Sequence, residues 1–176
     1  MKIRLFVAAE LPRPAVEALV DWRPRHDTLR LIAPEALHVT LAFLGWREEE
    51  DVTAITAVVE GAARPVTQLS LGEAVWLPRR RPRVLAVELG DADEALAAVQ
   101  GEVSRGLQDG IGWTPERRPF LAHVTVARVR ARGRLPDAGT PPGLGPFAAQ
   151  ALTLFQSHLS PGGARYEPLA RASLAT

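Results

Sequence analysis

The sequence predicts an α+β fold, organised as one bilobal domain over residues 1–176, with two pseudo-symmetric lobes of sheet and outer helices facing each other across a central cleft. Three observations predict it. The stretch Leu37-His38-Val39-Thr40-Leu41-Ala42-Phe43 has a twin at Leu121-Ala122-His123-Val124-Thr125-Val126-Ala127-Arg128. Their histidines lie 123 − 38 = 85 positions apart, close to half the chain. Finally, apolar spacing switches repeatedly between period 2 and the i, i+3, i+4 pattern, as interleaved strands and helices require. The sequence flanking the twin motifs is not visibly repeated.

In order, Ile3 to Ala9 reads as a strand with Ile3, Leu5, Val7 and Ala9 on one face and Arg4, Phe6 and Ala8 on the other. Pro12 and Pro14 open a helix whose stripe is Val16, Leu19 and Val20, and Pro24 ends it. Leu29 to Ile32 is a short strand before Pro34, and the first motif strand follows, ended by Gly45. Glu48 to Asp51 puts negative charge where a helix N-terminus favours it, and Val52, Ile55, Val59 and Ala62 mark that helix. Val66 to Leu77 and Val84 to Leu89 are strands joined by an Arg/Pro loop. Leu96, Val99, Val103 and Leu107 form a third helical stripe, closed by Asp109-Gly110. Beyond the second motif, residues 131–146 are a Gly/Pro-rich surface loop. Ala151 to Ser157 and Ala164 to Leu169 then pair as a hairpin through Pro161-Gly162-Gly163.

Composition narrows the function. A hydrophobic content of 47% supports ordinary globular burial, and the net charge of +1 says nothing about partners. Zero cysteines exclude disulfides, thiolate catalysis and Cys-based zinc sites. The longest apolar run near the N-terminus, Leu5 to Ala9, is too short for a secretory core or a bilayer crossing, so a cytoplasmic protein without membrane contact is expected. Lys2 is the only lysine. Arginines cluster at Arg79-Arg80-Arg81-Pro82-Arg83, Arg117-Arg118 and the alternating Arg128, Arg130, Arg132, Arg134, and planar guanidinium forks suit phosphate contacts.

In a strand, residues i and i+2 share a face, so His38 shares one with Thr40 and His123 with Thr125. Two imidazoles meeting across a cleft can move one proton in and another out of a reacting centre, because a histidine titrates near working pH. The threonine hydroxyls would donate to phosphate oxygens, which points to phosphodiester chemistry. No His-x-His, His-x₃-His or acidic cluster adjoins either motif, so neither a metal nor any other cofactor is expected. His26 and His158 read as surface residues, and Trp46 and Trp113 either line the cleft or pack.

The chain resembles the two-histidine phosphoesterase superfamily, and most closely its bacterial and archaeal RNA 2′,3′-cyclic phosphodiesterase branch. That branch carries His-x-Thr-x-x-Phe first and His-x-Thr-x-x-Arg second, here His38 to Phe43 and His123 to Arg128. Arg4 to Pro12, Phe43-Leu44-Gly45, and Ser157 and Leu159 with Gly163 and Tyr166 are also similar. The resemblance implies antiparallel sheets lining the cleft. It also implies hydrolysis of terminal 2′,3′-cyclic phosphates to 2′-phosphates, with His38 as general acid and His123 as general base. Arg128 would hold the phosphate and Phe43 would stack on the terminal base, while Thr40 and Thr125 complete the site. Strict alternation puts Phe43 and Arg128 opposite the histidines, so the strands must end, twist or bulge first. The expected partners are RNA bearing cyclic phosphate ends or small cyclic nucleotides, with the protein a monomer needing no protein partner. The alternatives are a 2′,5′-phosphodiesterase or RNA ligase-like relative, and a non-catalytic module that holds RNA ends.

Overall fold

Strand β1 (Lys2–Glu10) buries Leu5, Val7 and Ala9 on one face and Phe6 and Ala8 on the other, so both its faces are covered, and it has neighbours on both edges. In the computed structural model, which describes residues 1–176, those neighbours are β3 (His38–Glu48) and β7 (Ala151–His158). Strand β8 (Arg165–Ser173) completes a sheet of order β3-β1-β7-β8. A second sheet has the order β2-β6-β5-β4, from β2 (Leu29–Leu31), β6 (His123–Val129), β5 (Val84–Asp91) and β4 (Leu69–Leu77). Every pairing in both sheets is antiparallel, as the family resemblance implies.

The three helices form where their stripes place them. Helix α1 (Arg13–Trp22) starts with proline in its first turn, buries Ala15 and Leu19, and ends at Arg23, ahead of Pro24. Helix α2 (Val52–Ala62) buries Ile55, Val59 and Ala62 and touches β7 and β8. Helix α3 (Ala95–Ile111) touches both β3 and β5 and buries Leu96, Val99, Val103 and Leu107. Its first turn is held by the Asp91 carboxylate, which accepts from the N–H groups of Leu96 at 3.1 Å and Ala97 at 2.9 Å. It runs past Asp109-Gly110 because the left-handed turn that stops it, with φ of +63°, falls on Gly112. The α2–α3 crossing is close enough that a Cβ at Gly106 would lie 2.7 Å from Val58 Cγ1.

One strand boundary is corrected. The first motif strand does not stop at Gly45 but continues to Glu48, pairing with β1 as far as Lys2. The two sheets, each with one motif strand, draw on both halves of the chain. The N-terminal half sends β2 and β4 to the second sheet, and the C-terminal hairpin returns to cover the far edge of β1. A single core cluster of 33 buried residues draws on both sheets and all three helices, so the lobes share one interior. No helix is long and apolar enough to cross a membrane.

Candidate active site

The motif strands, one from each sheet, come within 8 Å of each other between Cα atoms. Each carries a bulge at the same point of its motif. On β3, Thr40 pairs with Ala8 and Ala42 with Val7, leaving Leu41 as the extra residue. On β6, Thr125 pairs with Ala86 and Ala127 with Leu85, leaving Val126 extra. One inserted residue reverses the alternation that follows it, so Phe43 joins the face of His38 and Thr40, and Arg128 joins that of His123 and Thr125. Burial agrees: Phe43 is 59% exposed between buried Ala42 and Leu44, and Arg128 is exposed beyond buried Val126 and Ala127. A further irregularity at Leu44 keeps exposed Trp46 on the same face, opposite Arg4.

Both bulges are anchored from a helix. The carbonyl of Val126 accepts the Ile32 N–H and Nη1 of Arg23, each at 3.1 Å, and Arg23 Nη1 also donates to Ile32 O. Arg23, the residue that closes α1, is only 9% exposed, and burial pushes its pKa below the usual value, with the Arg25 charge adding to this. At the first bulge the Leu41 carbonyl accepts Nε2 of Gln100 from α3 at 3.4 Å.

The imidazoles are oriented alike. His38 Nδ1 bonds to Ala36 O and His123 Nδ1 to Leu121 O, both at 2.7 Å. A carbonyl only accepts, so Nδ1 carries the proton in each ring and Nε2 is left for chemistry. His38 Nε2 lies 2.9 Å from Thr40 Oγ1. Desolvation lowers the His38 pKa; the Ala36 bond opposes this, while the charges of His123 and Arg128 lower it further. That coupling places both groups within electrostatic reach of His38.

Aromatic rings wall His38. The Phe6 ring is 5.0 Å from the imidazole, and Tyr166 stands edge-on at 5.4 Å. Phe6 also touches Phe155 at 5.2 Å, Tyr166 at 4.8 Å and Phe43 at 6.2 Å. Each histidine faces a carboxylate-bearing residue across its ladder, Glu10 for His38 and Glu88 for His123. Glu10 accepts from Thr153 Oγ1 at 2.5 Å and Arg171 Nε at 2.7 Å, whereas Glu88 has Arg79 at 3.7 Å. No group of three or more His, Cys, Asp or Glu side chains comes together as a metal site would need.

Of the other candidates, Trp113 packs, buried with its indole donating to Phe43 O at 3.0 Å. His26 bonds Thr28, and His158 bonds Glu167. Sequence reasoning missed Arg23, Gln100, Phe155 and Glu10, none of which has a local pattern that distinguishes it.

The family model described as "LigT like Phosphoesterase" matches residues 10–86. The chain is 30% identical to the RNA 2′,3′-cyclic phosphodiesterase of Escherichia coli (strain K12), over 97% of this chain and 96% of that protein. The chain belongs to the LigT-like phosphoesterase family. Its fold is similar to the crystal structure of TT0787 of Thermus thermophilus, with a TM-score of 0.83, 27% identity and 98% of each chain covered. It is also similar to Escherichia coli LigT complexed with 3′-AMP, with a TM-score of 0.79, 26% identity and both chains fully covered. A LigT-like chain is a two-histidine phosphoesterase, and both motifs of that superfamily stand complete on β3 and β6.

Proposed function

We propose that this chain is an RNA 2′,3′-cyclic phosphodiesterase that opens a terminal cyclic phosphate to a 2′-phosphate by general acid-base catalysis. The observation that carries the proposal is the matched pair of imidazoles, each with Nδ1 tied to the carbonyl two residues earlier, which leaves Nε2 as the proton-transfer atom, in His38 beside the Thr40 hydroxyl. Relatives of near-equal length that act on this bond add support.

In this reaction His123 Nε2 takes a proton from water as the water oxygen attacks phosphorus. The P–O3′ bond breaks, and the departing O3′ takes the proton of His38 Nε2. His38 holds that proton weakly, which makes it a strong acid toward an alkoxide. Burial is the main reason for that weak hold, and an arriving phosphate anion offsets it together with the repulsion from Arg128, letting His38 load while His123 stays neutral to act as base. Arg128 stabilises the charge that develops on the phosphoryl oxygens, with donors from Thr40 and Thr125. Phe43, exposed on the same face, stacks on the terminal base. We further propose that the enzyme acts in the cytoplasm as one bilobal domain, without cofactor or obligatory protein partner.

The test is turnover of a 2′,3′-cyclic nucleotide in EDTA, followed by ³¹P NMR. Appearance of the 2′-monophosphate is expected. Loss of turnover on chelation, or a 3′-monophosphate product, would refute the mechanism.

A further inference from the structure

Hydrolysis at the histidines leaves a second cationic feature unused. Val129, the last residue of β6, donates its N–H to Arg83 O at 2.9 Å, and Val84 pairs with Arg128. The β4–β5 loop and the segment leaving β6 therefore meet at the Arg128 end of the sheet. Between them lies a groove of about 1050 Å³ that contains Arg80, Arg81, Arg83, Arg130 and Arg132 and no acidic residue. None of these five guanidiniums is ion-paired, while Arg79, the other arginine of the loop, is drawn away to Glu88.

Five like charges gathered in a concavity repel one another and focus a positive field on whatever enters. Pro78 and Pro82 stiffen the loop that presents them, so the charges are held rather than dispersed. Guanidinium forks match phosphate oxygens, and a groove admits a strand where a flat patch would suit a lamellar surface. The groove begins one residue beyond Arg128, on the strand that carries His123 and Thr125.

We propose that this groove binds the phosphodiester backbone of single-stranded RNA upstream of the nucleotide held at the histidines. This rests on reading the histidine site as a phosphodiesterase. It follows that oligonucleotide ends are preferred over cyclic mononucleotides.

The test compares kcat/KM for a 2′,3′-cyclic mononucleotide and for an RNA of about six nucleotides ending in a cyclic phosphate, a length within single-strand site sizes. The wild type is set against Arg81→Gln/Arg130→Gln/Arg132→Gln across a salt series, with circular dichroism to check folding. The wild type should favour the oligonucleotide by about tenfold or more, and the variant's ratio should fall toward one. The slope of log kcat/KM against log salt should shrink by about 0.7 for each phosphate that the variant no longer neutralises. Mononucleotide turnover with an unmoved ratio and slope would overturn the groove and leave the phosphodiesterase standing. Should the wild type hydrolyse neither substrate, the phosphodiesterase reading falls, and fluorescence anisotropy with a labelled, uncyclised RNA still decides the groove. In that assay the variant should bind about tenfold more weakly, and equal binding, or capture of phosphatidylserine vesicles in preference to RNA, would overturn the proposal.

Discussion

Replacing Arg23 with methionine tests whether the bulge of β6 delivers Arg128 to the reaction. Arg23 Nη1 donates to Val126 O and Ile32 O, two bonds from a charged and nearly buried group. Hydrogen bonds to charged groups contribute about 1.5–3 kcal/mol each. Val126 O keeps the Ile32 N–H at 3.1 Å, and methionine refills most of the volume, so a loss of about 2–3 kcal/mol is expected. For a chain of this size that lowers Tm by about 4–12 °C. The effect on catalysis is the sharper readout. With the bulge loosened, Arg128 drifts from the His123 face, and kcat/KM should fall by about tenfold or more, toward the 10²- to 10³-fold expected for Arg128→Ala itself. The assay is a double-mutant cycle on cyclic nucleotide turnover, with Tm measured beside it. In the Arg128→Ala background, Arg23→Met should change turnover little, a coupling of at least about 1 kcal/mol. An equal drop in both backgrounds, or a fall in Tm with turnover intact, would refute the link between bulge and arginine.

The remaining predictions concern the imidazoles and their wall. His38→Ala and His123→Ala should each lower kcat by about 10²- to 10⁴-fold while circular dichroism stays native; a mild loss from either would break the acid-base pair. NMR titration of the free protein should find His38 below its ordinary value of 6.5, and Arg128→Ala should raise it. Folded His38 resists protonation, so its contribution to stability is full above pH 6.5 and is lost as pH falls through the depressed value. Denaturant titrations across that window should flatten there in His38→Gln. Phe6→Leu removes the ring contacts to His38, Phe155 and Tyr166, should destabilise by about 1–3 kcal/mol, and should let the His38 pKa rise; a pKa that stays put would mean the rings do not desolvate it. Phe43→Ala should raise KM through a loss of about 1–3 kcal/mol of stacking, and a collapse of folding instead would assign Phe43 to the core.

The sequence was most informative where chemistry repeats. His38, Thr40, His123 and Thr125 stood out because a strand that spends one face on imidazole and hydroxyl is unusual, and a second copy more so. Phe43 and Arg128 could not be placed by alternation, because the residues that break it, Leu41 and Val126, are ordinary strand formers without a glycine to mark them. What anchors those bulges comes from distant positions: Arg23 reaches Val126 across 103 residues and Gln100 reaches Leu41 across 59. Helices were legible from their apolar stripes, and α3 overran its expected stop by one residue pair because capping geometry, not composition, decides the end. Strand pairing was not legible, because apolar content reports that the faces of a strand such as β1 are covered and says nothing of which segments lie along its edges; one of them, β7, comes from residues 151–158.

The route of the chain through the first sheet ties the surroundings of one histidine to a remote part of the sequence. Strand β1 is paired along one edge by the eight-residue segment Ala151–His158, which is itself covered by β8. Without that hairpin Leu5 and Val7 have an open edge, and the ring cluster around His38 lacks Phe155 and Tyr166. Local opening of two strands far from either motif therefore hydrates the His38 imidazole while the motif strands themselves stay paired.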